Sequence, residues 1–231
     1  MSDKTIAPEN NRLLYQAVRA LARFLLRIFA EVEVHGEENV PAEGPAILVC
    51  NHVNLMDPVV PIGVLKRQTS FMAKEELFST PIFGRLLRGL KIVPVARGKI
   101  AARRALQKAE EFLRRGWIFC MYPEGTRSRQ PGMQQAHNGA ALLALRTGAP
   151  ILPTALTGTH MVMPEGRFFP RRDHISFHIG VPISVSQTEG RLSREMLEDV
   201  TERVMRRIAA MLPDEYRGVY AGEPALMAVK R

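Results

Sequence analysis

Two cysteines, Cys50 and Cys120, are all that this chain of 231 residues carries, too few for a disulfide framework. Its first residues, MSDKTIAPENNR, hold neither the apolar core nor the small-residue cleavage site of a secretory signal. Both absences point to a reducing, cytoplasmic setting. Long apolar runs are missing too. The longest stretch without a charge, residues 147–164, includes Gly148, Pro150, Pro153, Gly158, Thr159 and His160, a set that no bilayer-spanning helix of about 20 residues carries together. Aromatic residues make up only 6% and no recognisable RNA- or DNA-binding motif occurs, which counts against nucleic acid as a partner. His174 and His178 bracket a strand four residues apart and would not converge in an extended chain, so no metal-ligand spacing is present. There is no Gly-x-Ser-x-Gly elbow to supply a serine nucleophile. Internal repeats, low-complexity tracts and interdomain linkers are absent as well.

What remains is an ordinary globular composition, with 46% hydrophobic and 24% charged residues and a mean hydropathy of −0.08. The length fits one sizeable core. Charge is the outlier. Lys and Arg total 32 against 23 Asp and Glu, a net charge of +9, and the pI near 10.1 favours an anionic partner such as a phosphate ligand, an anionic membrane or nucleic acid. Ten of the basic residues lie between Arg85 and Arg115, facing only Glu110 and Glu111. Such a run is either a solvated helix face or a field that focuses an anionic substrate at a strand end.

Residues 11–30 read as a helix on which Arg12, Arg19, Arg23 and Arg27 form one narrow stripe. Leu13, Leu14, Val18, Leu21, Phe24, Leu25, Ile28 and Phe29 cover a broad opposite arc. That pattern fits an amphipathic helix lying in a membrane interface, and equally a helix packed on its own domain. Beyond it, apolar β-type runs at 32–35, 46–50, 69–73, 90–95, 117–122, 151–157 and 175–179 alternate with helical segments at 58–65, 74–78, 82–88, 99–115 and 138–147. A final helix is expected over 193–211, with Pro213 past its end. Uniformly apolar strands separated by helices predict a single α/β domain, a mixed and mostly parallel sheet flanked by helices. The expected division is an N-terminal amphipathic helix over 1–31 as a possible membrane anchor, the α/β domain over 32–212, and a C-terminal tail over 213–231.

Two blocks carry candidate chemistry, each directly after an apolar run. In Asn51-His52-Val53-Asn54-Leu55-Met56-Asp57 the His and Asp are five apart, a spacing that neither helix nor strand brings together. They can meet only across a turn, which Asn51, Asn54 and the Pro58 restraint on Asp57 allow. A histidine held by a carboxylate on one ring nitrogen presents the other as a general base for a hydroxyl. The alternative is that Asp57 N-caps a helix begun by Pro58 and His52 is an ordinary loop histidine. In Tyr122-Pro123-Glu124-Gly125-Thr126-Arg127-Ser128, Gly125 admits close backbone approach, Thr126 and Ser128 offer hydroxyls, and Arg127 presents a planar fork suited to phosphate. Glu124 could accept from a ligand hydroxyl. A plain β-turn with Pro second and Gly fourth explains the same residues. Ligands of α/β sheets collect beyond the carboxyl ends of strands, so the shared position favours one joint site. Cys50 and Cys120, set among apolar neighbours, read as core thiols and not as nucleophiles.

These blocks resemble those of the glycerolipid acyltransferase family of lysophosphatidate acyltransferases, with its N-H-x-x-x-x-D block followed by E-G-T-R. Gly89-Leu90-Lys91-Ile92-Val93-Pro94-Val95-Ala96-Arg97 resembles the family's second motif, and Ile151-Leu152-Pro153-Thr154-Ala155 its fourth. Four blocks in order, from the N-terminal helix to about Gly180, make the resemblance specific. It implies that His52 is the base and Asp57 its orienting partner. Glu124, Gly125, Thr126 and Arg127 would hold the acceptor's glycerol phosphate with Arg97, Lys74 would sit near that phosphate, and Pro153 would line the acyl region. Where many relatives carry Phe-Lys-x-Gly, this chain has Ala136-His137-Asn138-Gly139, which removes a lysine contact. The implied reaction moves an acyl group from a thioester to lysophosphatidate, giving phosphatidate for phospholipid synthesis. Acyl-CoA or acyl-acyl carrier protein would be a co-substrate, with no permanently bound cofactor and no metal. Implied partners are lysophosphatidate, the acyl thioester and its acyl carrier protein, and an anionic membrane surface. The implied location is cytoplasmic, peripheral on the inner face of the cell membrane. Glycerol 3-phosphate or another lysophospholipid would serve the same chemistry.

Overall fold

Short apolar strands joined through helices leave this chain few ways to bury itself, and a covered sheet is the solution it adopts. The computed structural model describes residues 12–96, 98–128, 132–167 and 169–222. In chain order these form α1 (Arg12–Phe29), β1 (Ala30–His35), β2 (Ala46–Cys50), α2 (Val59–Val64), β3 (Thr69–Lys74) and α3 (Pro81–Gly89). There follow β4 (Val93–Val95), α4 (Lys99–Arg114), β5 (Ile118–Met121), α5 (Gly139–Thr147), β6 (Ile151–Thr157), α6 (Thr159–Val162), β7 (Asp173–Ile179) and α7 (Arg194–Ala210).

The strands make one sheet in the order β1-β7-β6-β2-β5-β3-β4. Neighbours are parallel except β6 and β7. The carboxyl ends of β6, β2, β5, β3 and β4 therefore share one edge of the sheet. Along β2 the side chains alternate between two apolar layers. Ile47 and Val49 join Phe112, Phe119, Leu143, Val204 and Ile208 under α4, α5 and α7. Leu48 and Cys50 join Leu26, Val60, Leu87, Leu152 and Phe177 under α1, α2 and α3. All five β2 residues are buried, as expected for a strand covered on both faces.

Differences from the sequence reading have local causes. The run 90–95 is a strand only over Val93–Val95, because Lys91 takes a left-handed φ of 60° while the Ile92 N–H still closes on the Leu87 carbonyl at 3.0 Å. Glu75–Ser79 is a 3-10 turn instead of a helix. The segment expected as a tail is in fact part of the domain up to residue 222. Tyr216 and Tyr220 are buried in the α4/α5/α7 layer, and the Tyr220 hydroxyl accepts from the Ala136 N–H at 3.1 Å. Nor is α1 a separate unit, since Tyr15, Ala22 and Leu26 are buried against the domain. The same helix leaves Leu13, Leu21, Phe24, Leu25 and Ile28 exposed, so the broad apolar arc divides between packing and solvent. Asn11 lies outside the described residues. Among those residues, no helix is long and apolar enough to cross a membrane.

Candidate active site

β2 ends at Cys50, and the next seven residues fold into a turn held by the hydrogen bonds of its own polar side chains. The Asn51 side-chain amide donates to the Leu156 carbonyl at 2.9 Å and its oxygen accepts the Leu156 N–H at 2.8 Å, prolonging the β2–β6 pairing with a side chain. Asn54 donates to the Met163 carbonyl at 2.8 Å and accepts the Met56 N–H at 2.9 Å. Inside this loop Asp57 is fully buried. Its carboxylate does not cap α2. One oxygen, Oδ2, meets His52 Nδ1 at 2.7 Å and accepts the Val53 and Asn54 N–H groups at 2.8 and 2.9 Å. The other, Oδ1, accepts the hydroxyl of the buried Thr159 at 2.5 Å. Four donors replace the water that this charge gives up on burial.

Because a carboxylate can only accept, the Asp57 contact assigns the proton to His52 Nδ1 and leaves Nε2 as the free acceptor. The His52 side chain keeps 17% of its surface exposed against none for Asp57, so the imidazole can be reached while its partner cannot. The Tyr122 ring lies 4.3 Å from the His52 ring, tilted by 30°, and burial pushes the Tyr122 phenol well above its ordinary pKa. His52 is thus fixed by a hydrogen bond along one edge and a ring against one face.

The second block is tied to the first through the His52 backbone. Tyr122–Gly125 forms the expected β-turn, closed by the Gly125 N–H on the Tyr122 carbonyl at 3.0 Å. Glu124 Oε1 accepts the His52 N–H at 2.9 Å, and its Oε2 accepts the Gln134 N–H at 2.8 Å. The Ser128 N–H donates to the His52 carbonyl at 2.9 Å. Glu124 is only 4% exposed, and burial raises its pKa despite those two hydrogen bonds. Its carboxylate therefore braces the loop that carries His52, each oxygen accepting one backbone N–H. Gly125, Thr126 and Arg127 are exposed. Gly125 has φ +69°, and a Cβ there would stand 3.1 Å from His137 Cδ2, so the turn calls for glycine on two counts.

The other expected residues fall at different depths. Lys74 is the exposed last residue of β3, paired in register with Val95. The registers Leu48–Cys120 and Phe71–Cys120 make Lys74 level with Asn51, two strands away, or roughly 10 Å at ordinary strand spacing. Arg97 lies outside the described residues. Pro153 is buried within β6, opposite Val49, and its carbonyl accepts the Gly180 N–H at 2.8 Å. There β7 has ended and pairing resumes only at Ile183, an interruption that accommodates a proline without an N–H. Pro153 is thus a buried residue, one register position short of the end of β2. Sequence reasoning missed Thr159, which sits on a helix of four residues, too short to leave a periodic pattern. Its one signal was position, directly after the Gly158 that closes β6. Cys50 and Cys120 are free and buried, and burial pushes the Cys120 thiol up to about 12.

The α/β sheet thus presents a braced histidine–carboxylate pair at its carboxyl edge, with the exposed cations Lys74 and Arg127 at the same edge. A family model for acyltransferases matches residues 31–157, more than half the chain, and the chain belongs to that family. Over 196 residues it is 26% identical to the 1-acyl-sn-glycerol-3-phosphate acyltransferase of Bacillus subtilis, covering 84% of this chain and 95% of that protein. It is 31% identical over 140 residues to a chloroplastic 1-acyl-sn-glycerol-3-phosphate acyltransferase of Arabidopsis thaliana, covering 60% of this chain and 39% of that one. The chain thus spans about two fifths of the length of the chloroplastic relatives, at 39% and 40%. Its fold is that of the crystal structure of the 1-acyl-sn-glycerophosphate (LPA) acyltransferase PlsC from Thermotoga maritima. The TM-score is 0.69 and the identity 28%, over 87% of this chain and 80% of that one.

Proposed function

We propose that the protein transfers a fatty acyl group from an acyl thioester to the free hydroxyl of lysophosphatidate, forming phosphatidate. The observation that carries this reading is the 2.7 Å contact between His52 Nδ1 and the buried Asp57 carboxylate, which leaves Nε2 as the accessible base. His52 Nε2 accepts the hydroxyl proton as the substrate oxygen attacks the thioester carbonyl. Asp57 stabilises the imidazolium that results. The tetrahedral adduct collapses by breaking the carbon–sulfur bond, and the thiolate that leaves takes up the proton held on His52. Products are phosphatidate and a free thiol, with no acyl-enzyme. Cys50 and Cys120 are not needed, since thiols kept protonated by burial make poor nucleophiles.

The acceptor phosphate would be gripped by Arg127 and Lys74, with Arg97 beyond β4, and approached by the Gly125–Thr126 backbone. Arg127 follows β5 and Lys74 ends β3, one and two strands from the β2 whose following loop carries His52, so a glycerol phosphate bridging them would offer its hydroxyl toward the base. The donor is an acyl-CoA or acyl-acyl carrier protein acting as a co-substrate, and no permanent cofactor enters the scheme. The chain would work at the cytoplasmic face of an anionic membrane. The exposed Leu13, Leu21, Phe24, Leu25 and Ile28 of α1 support that reading as an apolar stripe for the interface.

The deciding experiment follows thioester consumption by the wild type and by His52→Ala. Lysophosphatidate is presented in vesicles, with coenzyme A and carrier-protein donors compared. Wild-type turnover that falls by orders of magnitude in the variant is the expected result and identifies the donor. Equal rates in both proteins would sink the mechanism, whereas turnover only of glycerol 3-phosphate or another lysophospholipid would replace the acceptor and keep the base.

A further inference from the structure

The arginine stripe of α1 has no part in the acyl-transfer chemistry, yet the structure places it over a built groove. On a helical projection at ~100° per residue, α1 has three faces. Tyr15, Ala22 and Leu26 point into the domain; Leu13, Leu21, Phe24, Leu25 and Ile28 point to solvent; Arg19, Arg23 and Arg27 lie between them. Along that third face runs an open groove of about 910 Å³, closed on its far side by β1 and by the end of α2. Its walls carry five cations, Arg19, Arg23, Arg27, Lys66 and Arg172, against Glu31 and Glu37, while Phe24, Val32 and Val34 supply apolar surface. Lys66 and Glu37 are 3.6 Å apart. Arg19 reaches the Lys66 carbonyl at 3.4 Å, and its buried Nε has no hydrogen-bond partner among the described residues.

Phe24 belongs both to the groove wall and to the exposed stripe. A phospholipid whose tails meet the stripe would therefore find its headgroup beside Arg23 and Arg27. We infer that this groove is a binding site for the phosphate headgroup of an anionic membrane phospholipid, held by bidentate guanidinium contacts from Arg23, Arg27 and Arg172. The inference rests on the membrane reading above and deepens it: the stripe supplies adhesion to any bilayer, and the groove supplies preference for anionic lipid. It is separate from the catalytic edge, because neither His52 nor any residue expected around the acceptor lines it. Arginine, with its planar fork, suits phosphate in a way that a lysine point charge does not.

The test is flotation of the full chain with vesicles of phosphatidylcholine alone and of phosphatidylcholine mixed with phosphatidylglycerol. The proteins are the wild type, Arg23→Gln/Arg27→Gln/Arg172→Gln, the same three positions changed to Lys, and a control with Arg103→Gln, Arg115→Gln and Arg207→Gln on the opposite side of the sheet. Thermal unfolding of each verifies that it is folded. The wild type should prefer the anionic vesicles. The groove Gln variant should lose that preference by about a hundredfold, as expected for three cations at a headgroup layer, while its weaker binding to phosphatidylcholine persists. The groove Lys variant should lose most of the preference, and the control should keep it. A Lys variant equal to the wild type, or a control that falls as far as the groove variant, overturns the site and leaves only diffuse charge. Displacement of vesicles by inorganic phosphate overturns the lipid assignment in favour of free phosphate. A wild type that floats with neither vesicle overturns both the groove and the membrane reading, whereas groove variants matching a wild type that does float overturn the groove alone.

Discussion

The loop after β2 and the loop after β5 lie side by side at the same edge of the sheet, yet they are built in opposite ways. From Asn51 to Asp57 the side-chain amides of Asn51 and Asn54 and the carboxylate of Asp57 are consumed by backbone or side-chain partners. Of the polar side chains there, only His52 keeps an accessible face. From Gly125 to Arg127 the residues stand exposed, and the order in that loop comes from Glu124 beneath them. The proton acceptor proposed above must be in position before its substrate arrives, which calls for surroundings saturated in advance. A phosphate grip gains by leaving its donors for the ligand. The contrast predicts that changes in the first loop act on kcat and changes in the second on KM.

The largest expected effect is that of His52→Ala, which should lower kcat for acyl transfer by about a thousandfold or more, in line with the loss of a general base; stopped assays of thioester consumption measure it. Arg127→Ala should raise KM for lysophosphatidate about tenfold to a hundredfold with kcat changed far less, the worth of a hydrogen bond to a charged group. An Arg127→Ala variant that instead lost kcat at unchanged KM would break the comparison. Thr159→Val removes the hydroxyl that donates to Asp57 at 2.5 Å. It should lower kcat by about tenfold and move the pH profile of kcat/KM, while Thr159→Ser restores both. Thr159 would then be a positioning residue acting through Asp57, which a loss of packing alone could not mimic. The smallest effect concerns β5, the strand that leads into the second loop. A thiol raised by burial to about 12 stays protonated at pH 8, because its thiolate gains ground only as the pH nears that value. Iodoacetamide should therefore leave native Cys120 unlabelled and the rate unchanged, and should label it once the chain is unfolded.

Much of the architecture was readable along the chain. β2 and β6 occupy their expected spans, Ala46–Cys50 and Ile151–Thr157, because a strand buried on both faces is apolar at every position. Edges were harder. Lys91 turns back on α3 in a left-handed conformation that no periodicity encodes, and β4 is short in consequence. Tyr216 and Tyr220 looked like part of a tail, since two aromatics in a polar stretch reveal burial only when the partners Met133 and Ala136 are known. Within the site, the His52–Asp57 contact was legible because a five-residue spacing can close only through a turn. The role of Glu124 was not, because an acidic side chain in a loop reads the same whether it awaits a ligand or binds backbone N–H groups.

By itself, the sequence determined the layering of this protein, the compartments of charge, and the two blocks that had to meet at one edge of a parallel sheet. Those are consequences of local pattern: apolar period, turn chemistry, and the direction in which strands must run when helices connect them. Only the tertiary structure decided that Thr159 would reach Asp57 across 102 residues of chain, that Glu124 would lock the His52 backbone, and that α1 would bury one line of side chains while its arginines overhang a groove. Such contacts join segments remote in sequence, and their geometry follows from how the strands order themselves in the sheet, which no single segment carries.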